Sequence, residues 1–267
     1  MSGGRLEGKV AVVTGASRGV GRGVAEGLAE AGATVYITGR SESFEDPPEQ
    51  RTIQATASVV DALGGRGIAV RVDHNIDAEV EALFKQVAEE QGRLDVLVNN
   101  VYKIPDPPAW GGGFWEHPIS VWDDQCGVGL RGYYVASVFA APLMVAQKSG
   151  LIVNISSGGG SRYAFSASYG VCKSGVERMA KDMALELQPY DVTALSLRPS
   201  AVKTEFILDA VASGAIDFDM DAAESPRFTG RCIAALAMDP DKLEKSGGVF
   251  QVAELAKEYR FTDPDKE

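Results

Sequence analysis

Two residues able to do acid–base chemistry, Tyr169 and Lys173, stand four positions apart in the second half of the chain. Apolar residues follow them at helical spacing, through Val176, Met179 and Met183. Residues four apart lie on one face of a helix, so the phenol and the ammonium are predicted to be neighbours. A tyrosine ordinarily ionises at a pH of about 10, and an adjacent ammonium stabilises the phenolate. The pair therefore predicts general acid–base catalysis.

A pair of serines, Ser156 and Ser157, follows the apolar run that ends at Ile155. A serine hydroxyl at the end of a strand can hold the oxygen of a substrate. Successive residues of a strand point to opposite faces, so only one of the two can serve. The strand register counted from Asn154 favours Ser157.

A glycine-rich segment at residues 14–21 stands between a β-branched apolar run and a helical pattern. Glycines at such a turn let backbone N–H groups and a helix N-terminus approach a pyrophosphate. The spacing here is Gly-x3-Gly-x-Gly, which differs from the Gly-x-Gly-x2-Gly of other dinucleotide folds. The residues predicted to contact a dinucleotide are Gly15, Ser17, Arg18, Gly19, Val20 and Gly21.

The choice between the two nicotinamide dinucleotides depends on Arg40, which follows the second apolar run. An NAD site normally has Asp or Glu there to accept from the ribose 2′-OH. Arg40, with Arg18 as a second cation, instead predicts NADP(H), because both side chains can bind a 2′-phosphate. Asp73, after the third run, is placed to contact the adenine amino group or to cap a helix.

The elements that must position these residues alternate along the chain. Apolar runs of about five residues occur at 10–14, 34–38, 68–72, 94–98, 151–155, 193–197 and 248–252, with helical patterns between them. This alternation predicts an α/β fold, a doubly wound Rossmann-type parallel sheet flanked by helices. No long linker or internal repeat interrupts residues 1–267, so a single domain is predicted.

Two segments break the pattern, one near residues 102–118 and one near residues 203–225. Long loops in compact domains often act as lids, and ordinary surface insertion is the alternative. Aromatic and apolar residues in and near them predict a bulky, mostly apolar ketone substrate or the matching secondary alcohol: Tyr102, Trp110, Phe114, Trp115, Tyr163, Phe165, Phe206 and Ile207. The rings would otherwise only anchor the loops. The acids Asp217, Asp219, Asp221 and Glu224 are predicted to form a solvated lid face.

Composition excludes several classes of function. The 267 residues include 37 acidic and 26 basic ones, for a net charge of −11, which disfavours nucleic acid and anionic membranes as partners. No run of 18 apolar residues and no apolar signal-peptide core is present, so a cytoplasmic protein is expected. The three cysteines and two histidines lack the spacing of a metal site.

Together these motifs resemble the short-chain dehydrogenase/reductase family. The resemblance covers nearly the whole chain and includes the residues 14–21, Asn99-Asn100, the serine pair, Tyr169 with Lys173, and Arg198-Pro199. It implies a seven-stranded parallel sheet and hydride transfer. It also implies that Asn99 lines the nicotinamide-ribose region, that Lys173 binds that ribose, and that Val202 and Thr204 meet the carboxamide. A homodimer or homotetramer, packed through helices near 121–143 and 169–187, is implied as well.

The chain departs from the family pattern at several positions. Val101-Tyr102 replaces Ala-Gly, Ser200 replaces a glycine, and Gly129 stands where the family has a catalytic Asn. The family's usual serine–tyrosine spacing of thirteen favours Ser156, against the Ser157 that we select from strand register.

The sequence thus predicts an NADPH-dependent oxidoreductase that interconverts a ketone and a secondary alcohol, a small-molecule substrate. Its predicted catalytic residues are Ser157, Tyr169 and Lys173. Two alternatives remain. One is a non-catalytic NADP(H)-binding protein that acts through partners, for which Gly129 is the chief argument. The other is an epimerase or dehydratase on the same fold.

Overall fold

The predicted alternation of strands and helices is present in the computed structural model of the protein, which describes residues 6–42, 51–217 and 219–267. The strands are β1 (Val10–Val13), β2 (Thr34–Gly39), β3 (Arg66–Arg71), β4 (Val96–Asn99), β5 (Gly150–Ile155), β6 (Val192–Arg198) and β7 (Val249–Gln251). They form a seven-stranded sheet in the order β3-β2-β1-β4-β5-β6-β7. The predicted doubly wound α/β fold is confirmed.

The helices of the described residues are α1 (Gly19–Glu30), α2 (Ile53–Ala62), α3 (Asp77–Gln91), α4 (Ser120–Trp122), α5 (Gly132–Gln147), α6 (Ala167–Leu187), α7 (Glu205–Ala212), α8 (Pro226–Met238) and α9 (Val252–Tyr259). A π-helical segment, Asp123–Arg131, joins α4 to α5 without a break.

The strands that carry functional residues at their carboxyl ends are buried on both faces. Every residue of β1, β4 and β5 is buried, and β6 is buried except at Arg198. Side chains that alternate between two covered faces are mostly apolar, which explains the Val, Ile and Leu runs of these strands. Within the second half of the sheet, registers such as Asn99 opposite Asn154 and Asn154 opposite Ser196 align the carboxyl ends of β4, β5 and β6 at one edge.

The described chain divides into two compact units. The first contains residues 6–42, 51–71, 199–217, 219–240 and 251–267, with the parallel pairs β1–β2 and β2–β3. The second contains Val72–Arg198 and Asp241–Phe250, with the parallel pairs β4–β5 and β5–β6. The single domain over residues 1–267 stays a prediction.

One helical segment of the described residues, Ser120–Gln147, is long and apolar enough by length and composition to cross a membrane. Its most apolar stretch has a mean hydropathy of 1.3, and half of that stretch is buried inside the fold. Core helices of globular proteins have the same properties.

The two irregular segments have different outcomes. Residues 102–118 contain no helix or strand, as predicted. Residues 203–225 were expected to be irregular throughout, but α7 lies within them and is capped by Thr204, whose Oγ1 accepts from the N–H of Ile207. The described part of residues 213–225 contains no further helix or strand. Phe218, which belongs to this segment, lies outside the described residues.

The predicted acidic lid face is wrong at Glu224. Asp217, Asp219 and Asp221 are exposed, but Glu224 is buried, and its carboxylate accepts from the backbone N–H of Ser200 at 3.0 Å. Burial raises the pKa of Glu224, and the hydrogen bonds from Ser200 partly oppose that rise. A carboxylate that satisfies a buried backbone donor is part of the fold, which a charge count along the sequence does not reveal.

Candidate active site

The tyrosine and lysine lie on α6, whose start is fixed by Ser166. The Oγ of Ser166 accepts from the backbone N–H of Tyr169 at 3.2 Å, which caps the helix. Lys173 lies one turn later and is 6% exposed. Its Nζ donates to the carbonyl oxygen of Ile155, at the end of β5, over 3.1 Å. The predicted shared helix face is present, and the ammonium is anchored to a strand.

Ser157 and Ser156 have different environments. The hydroxyl of Tyr169 donates to Ser157 Oγ over 2.8 Å, and the N–H of Gly159 donates to the same oxygen over 3.1 Å. These two bonds occupy both acceptor positions of the serine oxygen, so its own proton is available to donate to a further group. A carbonyl oxygen is a suitable acceptor for that proton.

Ser156 points the other way, into the fold. Its Oγ donates to Glu177 Oε1 over 2.6 Å, and both carboxylate oxygens of Glu177 bind the Arg198 guanidinium at 2.6 Å. The Glu177 carboxylate raises the pKa of Arg198 through a side-chain hydrogen bond. Ser156 is thus committed to a buried ion pair, and this geometry favours Ser157 for the substrate.

Aromatic rings surround the Lys173 ammonium. Its Nζ lies 5.1 Å from the ring centroid of Tyr102, 6.0 Å from that of Tyr133 and 5.9 Å from that of Tyr169. Burial raises the pKa of Tyr102 and of Tyr133 far above the ordinary value, so both remain protonated. Neither neighbour can replace Tyr169 as a base.

Rings from the irregular segment and from the loop before α6 lie close to the catalytic phenol. Phe165 meets Tyr169 edge to face with centroids 5.0 Å apart, and Trp110 lies 6.4 Å from Phe165. Phe114 and Trp115 contact each other and remain exposed, at 69% and 76%. Rings so exposed do not anchor their loop to the body of the unit.

The glycine-rich segment at residues 14–21, called the phosphate loop here after its predicted ligand, lies in the first unit. Gly15 and Gly19 have positive φ values of 66° and 58°, which L-residues rarely adopt. The N–H of Ala16 donates to Thr38 O over 2.9 Å, which joins the loop to the end of β2. The N–H of Gly19, at the start of α1, donates to Glu205 Oε2 over 2.7 Å.

This last contact tests whether the loop suits a dinucleotide. A negatively charged oxygen is bound by the N–H at the start of α1, where the helix dipole is positive. Phosphate oxygens have the same charge and the same need for donors. The residues present therefore fit a cofactor phosphate.

The cations predicted for the 2′-phosphate are both exposed in the first unit. Arg18 precedes α1 and Arg40 follows β2. A Cβ placed on Gly39 would lie 3.8 Å from Ser17, so the sequence neighbours of the two arginines are adjacent. Thr204 is also close, because a Cβ on Gly19 would lie 3.5 Å from its methyl group. Val202 is buried beside Glu224 in an isolated parallel bridge.

Asp73 and Asn99 both have hydrogen-bond partners within the second unit. Asp73 Oδ1 accepts from the backbone and side chain of Asn75, which makes a turn before α3. The alternative role as a helix cap is wrong, because the N-cap of α3 is Ile76. The Asn99 side chain is fully buried, and its Nδ2 donates to Ser137 and Asn154. The predicted contacts of both residues with a cofactor stay predictions.

Sequence reasoning missed three side chains of these sites. Glu205 binds the phosphate loop, Glu177 binds Ser156, and Gln125 lies near the phenol of Tyr102, where it opposes part of the rise in pKa that burial causes. Each acts across more than twenty residues of sequence, and no local motif signals such a contact. The departures from the family pattern at Tyr102 and Gly129 were the only signal in the sequence near Gln125.

Within the described residues, no cluster of His, Cys, Asp and Glu forms a metal site.

The short chain dehydrogenase family model matches residues 9–212. Over 272 residues the chain is 44% identical to dehydrogenase/reductase SDR family member 1 of Mus musculus, covering 97% of this chain and 84% of that protein.

Two crystal structures share the architecture. One is of a protein described as a short-chain alcohol dehydrogenase from Sinorhizobium meliloti 1021, with a TM-score of 0.77, 24% identity, and coverage of 93% of this chain and 96% of that one. The other is described as ribose-5-phosphate isomerase from Brucella melitensis 16M, with a TM-score of 0.78, 26% identity, and coverage of 93% and 92%. Because these descriptions name different reactions, the reaction must be argued from the side chains of the site.

Proposed function

The chain belongs to the short-chain dehydrogenase/reductase family, a family of oxidoreductases that use a nicotinamide dinucleotide, and from this premise we propose that it interconverts a ketone and a secondary alcohol with NADP(H). One observation carries the proposal, the 2.8 Å hydrogen bond between Tyr169 and Ser157 beside the buried Lys173. The three residues provide a proton, a carbonyl-binding hydroxyl and a fixed positive charge.

Each residue has a separate part in the reaction. In the reductive direction Ser157 donates to the carbonyl oxygen and orients it, and Tyr169 gives up its phenolic proton to that oxygen. The Lys173 ammonium, held by Ile155, stabilises the phenolate that remains. The dinucleotide supplies or accepts the hydride when bound. The residues proposed to hold it are Gly15, Ser17, Arg18, Gly19, Val20, Gly21, Arg40, Val202 and Thr204 in the first unit, and Asp73, Asn99, Tyr169 and Lys173 in the second.

The preference for NADP(H) rests on Arg40 and Arg18. Both are exposed at the ends of elements that border the phosphate loop, and Arg40 stands where an acid would accept from a free ribose hydroxyl. Charge-assisted bonds to a phosphate favour the phosphorylated cofactor.

The substrate is proposed to be bulky and mostly apolar. Phe165 and Trp110 extend an aromatic surface from the Tyr169 ring, and Phe114 and Trp115 add exposed rings to the same segment. Apolar ligands gain roughly 25 cal/mol for each Å² that such surfaces remove from water.

Self-association as a homodimer or homotetramer is also proposed. Helix α5 exposes Tyr134 and Val138, and α6 exposes Val171 and Leu185, the last at 68%. Apolar residues of this size on two long helices are commonly covered across a two-fold axis. Light scattering at micromolar concentration checks this, and a single 28.3 kDa species would contradict it.

The decisive experiment measures NADPH oxidation with a panel of ketones graded by size and polarity. Wild-type protein is expected to consume NADPH, Tyr169→Phe to lose turnover while still binding NADPH, and the exposed control Tyr190→Phe to behave as wild type. Binding without consumption by wild-type protein would favour the non-catalytic alternative. Faster reduction of small hydroxylated carbonyls than of aryl-sized ketones would refute the apolar substrate.

A further inference from the structure

Gly129 lies in the π-helical segment, where the ring of Tyr102 packs so closely against it that a side chain at this position would clash. A Cβ placed on Gly129 would come within 2.8 Å of Cδ2 and 3.4 Å of Cε2 of Tyr102, and within 3.2 Å of Cys172 Sγ. Contacts below 3.0 Å force something to move, and an aromatic ring packed on several sides cannot give way easily. The Tyr102 ring can therefore occupy its observed position only because residue 129 is a glycine.

The Tyr102 ring is held in its place by two further contacts with the same segment. The side chain of Gln125, itself 2% exposed, lies close enough to the phenol to oppose part of the rise in the Tyr102 pKa that burial causes. The Gln125 Oε1 accepts from Ser168 over 2.5 Å, so the amide nitrogen is the group of Gln125 that can donate to the phenol. The next residue along the chain, Lys103, forms an ion pair with Asp124. Both ends of this short stretch are thereby fixed.

Beyond the ring lies the catalytic pair. Tyr102 meets Tyr169 edge to face with centroids 6.0 Å apart, and of the three rings around Lys173 it lies closest to the ammonium, at 5.1 Å. A desolvated ammonium within about 6 Å of an aromatic face is stabilised by the quadrupole of the ring.

We propose that Tyr102 is a positioning residue of the active site, whose ring holds the Lys173 ammonium next to Tyr169. Gly129 is required because any side chain there would clash with the Tyr102 ring. The inference rests on the proposed function for its effect on turnover. Its geometric part is independent of turnover. The groups that face the ammonium are the carbonyl of Ile155, the rings of Tyr102, Tyr133 and Tyr169, and the neighbouring thiol of Cys172.

Three variants test separately the effect of the Tyr102 ring, the effect of its hydroxyl and the effect of the space that Gly129 leaves for the ring. Tyr102→Phe keeps the ring and loses the hydroxyl next to Gln125, whereas Tyr102→Leu loses the ring. Gly129→Ala adds the Cβ that meets the ring. Gly127→Ala is the matched control, because a Cβ there has no neighbour within 4 Å in the same π-helical segment.

The first measurement follows the ammonium protons of Lys173 by ¹⁵N NMR, assigned by their loss in Lys173→Arg. Protons bonded to Ile155 and shielded by rings exchange slowly with water, so the signal is expected in wild type, Tyr102→Phe and Gly127→Ala. Faster exchange, with loss of the signal, is expected in Tyr102→Leu and Gly129→Ala. A signal absent from folded wild type, or unaffected in Tyr102→Leu, would overturn the inference.

The second measurement is the effect on kcat and KM. Tyr102→Leu is expected to lower kcat roughly ten- to thirty-fold with little change in KM. Tyr102→Phe, which keeps the ring, is expected to retain most of the wild-type kcat. Gly129→Ala should lower kcat in the Tyr102 background and have much less effect in the Tyr102→Leu background, since the clash is then gone. Equal effects of Gly129→Ala in both backgrounds, or equal losses of kcat in Tyr102→Phe and Tyr102→Leu, would overturn the inference.

If wild-type protein reduces no carbonyl, the proposed function fails, while the exchange measurement still decides whether Tyr102 holds Lys173.

Discussion

The carboxylate of Glu205 accepts a 2.7 Å hydrogen bond from the backbone N–H of Gly19, the first residue of α1. An acidic side chain thus occupies a donor of the loop that is proposed to bind the cofactor pyrophosphate. A phosphate oxygen and this carboxylate would compete for the same N–H, and their charges repel each other.

Replacing Glu205 by Gln is therefore expected to tighten NADPH binding about three- to tenfold, because it removes a negative charge and weakens a charge-assisted bond that must be broken. Titration of NADPH fluorescence measures the change. Glu254→Gln, at an exposed position of α9, is the control for the loss of one charge. Weaker binding in Glu205→Gln would mean that this carboxylate helps to hold the cofactor.

Replacing Ser157 is expected to affect activity, whereas replacing Ser156 is expected to affect stability. Ser157→Ala is expected to lower kcat by about 10² or more while leaving the free energy of unfolding nearly unchanged, since its oxygen bonds only Tyr169 and Gly159 in the contacts described. Ser156→Ala should retain turnover but lose roughly 1–3 kcal/mol of stability, because the Glu177 carboxylate loses a buried donor. Denaturant unfolding and initial rates, measured on the same preparations, test both. The reverse pattern would identify Ser156 as the catalytic serine.

Cofactor preference should depend on Arg40. The ratio of kcat/KM for NADPH over NADH is expected to fall about tenfold or more in Arg40→Asp, because a cation is replaced by an acceptor for the ribose hydroxyl. Arg66→Asp, an exposed site on β3, makes the same change in net charge away from the loop. Equal wild-type rates with the two cofactors would disprove the preference.

Acid stability should reflect His74, which is 3% exposed. Desolvation lowers the pKa of His74 to about 4, and Asp73 and Glu79 only partly oppose this effect. The unfolded chain binds the proton at a pKa of about 6.5, so the free energy of unfolding should fall as the pH drops from about 6.5 to 4, by up to roughly 3 kcal/mol.

His74→Gln removes this contribution, and denaturant unfolding measured at several pH values should then show a shallower loss of stability over that window. His117→Gln, at the other histidine of the chain, is the control. An unchanged pH dependence in His74→Gln would show that other groups cause the acid sensitivity.

The sequence by itself determined the elements and the chemistry that they carry. Periodicity predicted seven strands, and their ends shifted only slightly, as when the third expected run, 68–72, is found at Arg66–Arg71. Local rules are enough here, because a strand buried on both faces is mostly apolar and the apolar residues of a helix recur about every 3.6 positions. The same spacing rule placed Tyr169 and Lys173 on one face.

Tertiary structure alone decided what each side chain of that chemistry touches. The register after Asn154 favoured Ser157, but the bond to Tyr169 and the diversion of Ser156 to Glu177 follow from the packing of α6 on β5 and β6. The burial of Glu224, the contact of Glu205 with Gly19 and the fit of Tyr102 over Gly129 join residues that are distant in sequence. Such contacts depend on shape and distance between elements, and no pattern along one chain encodes these.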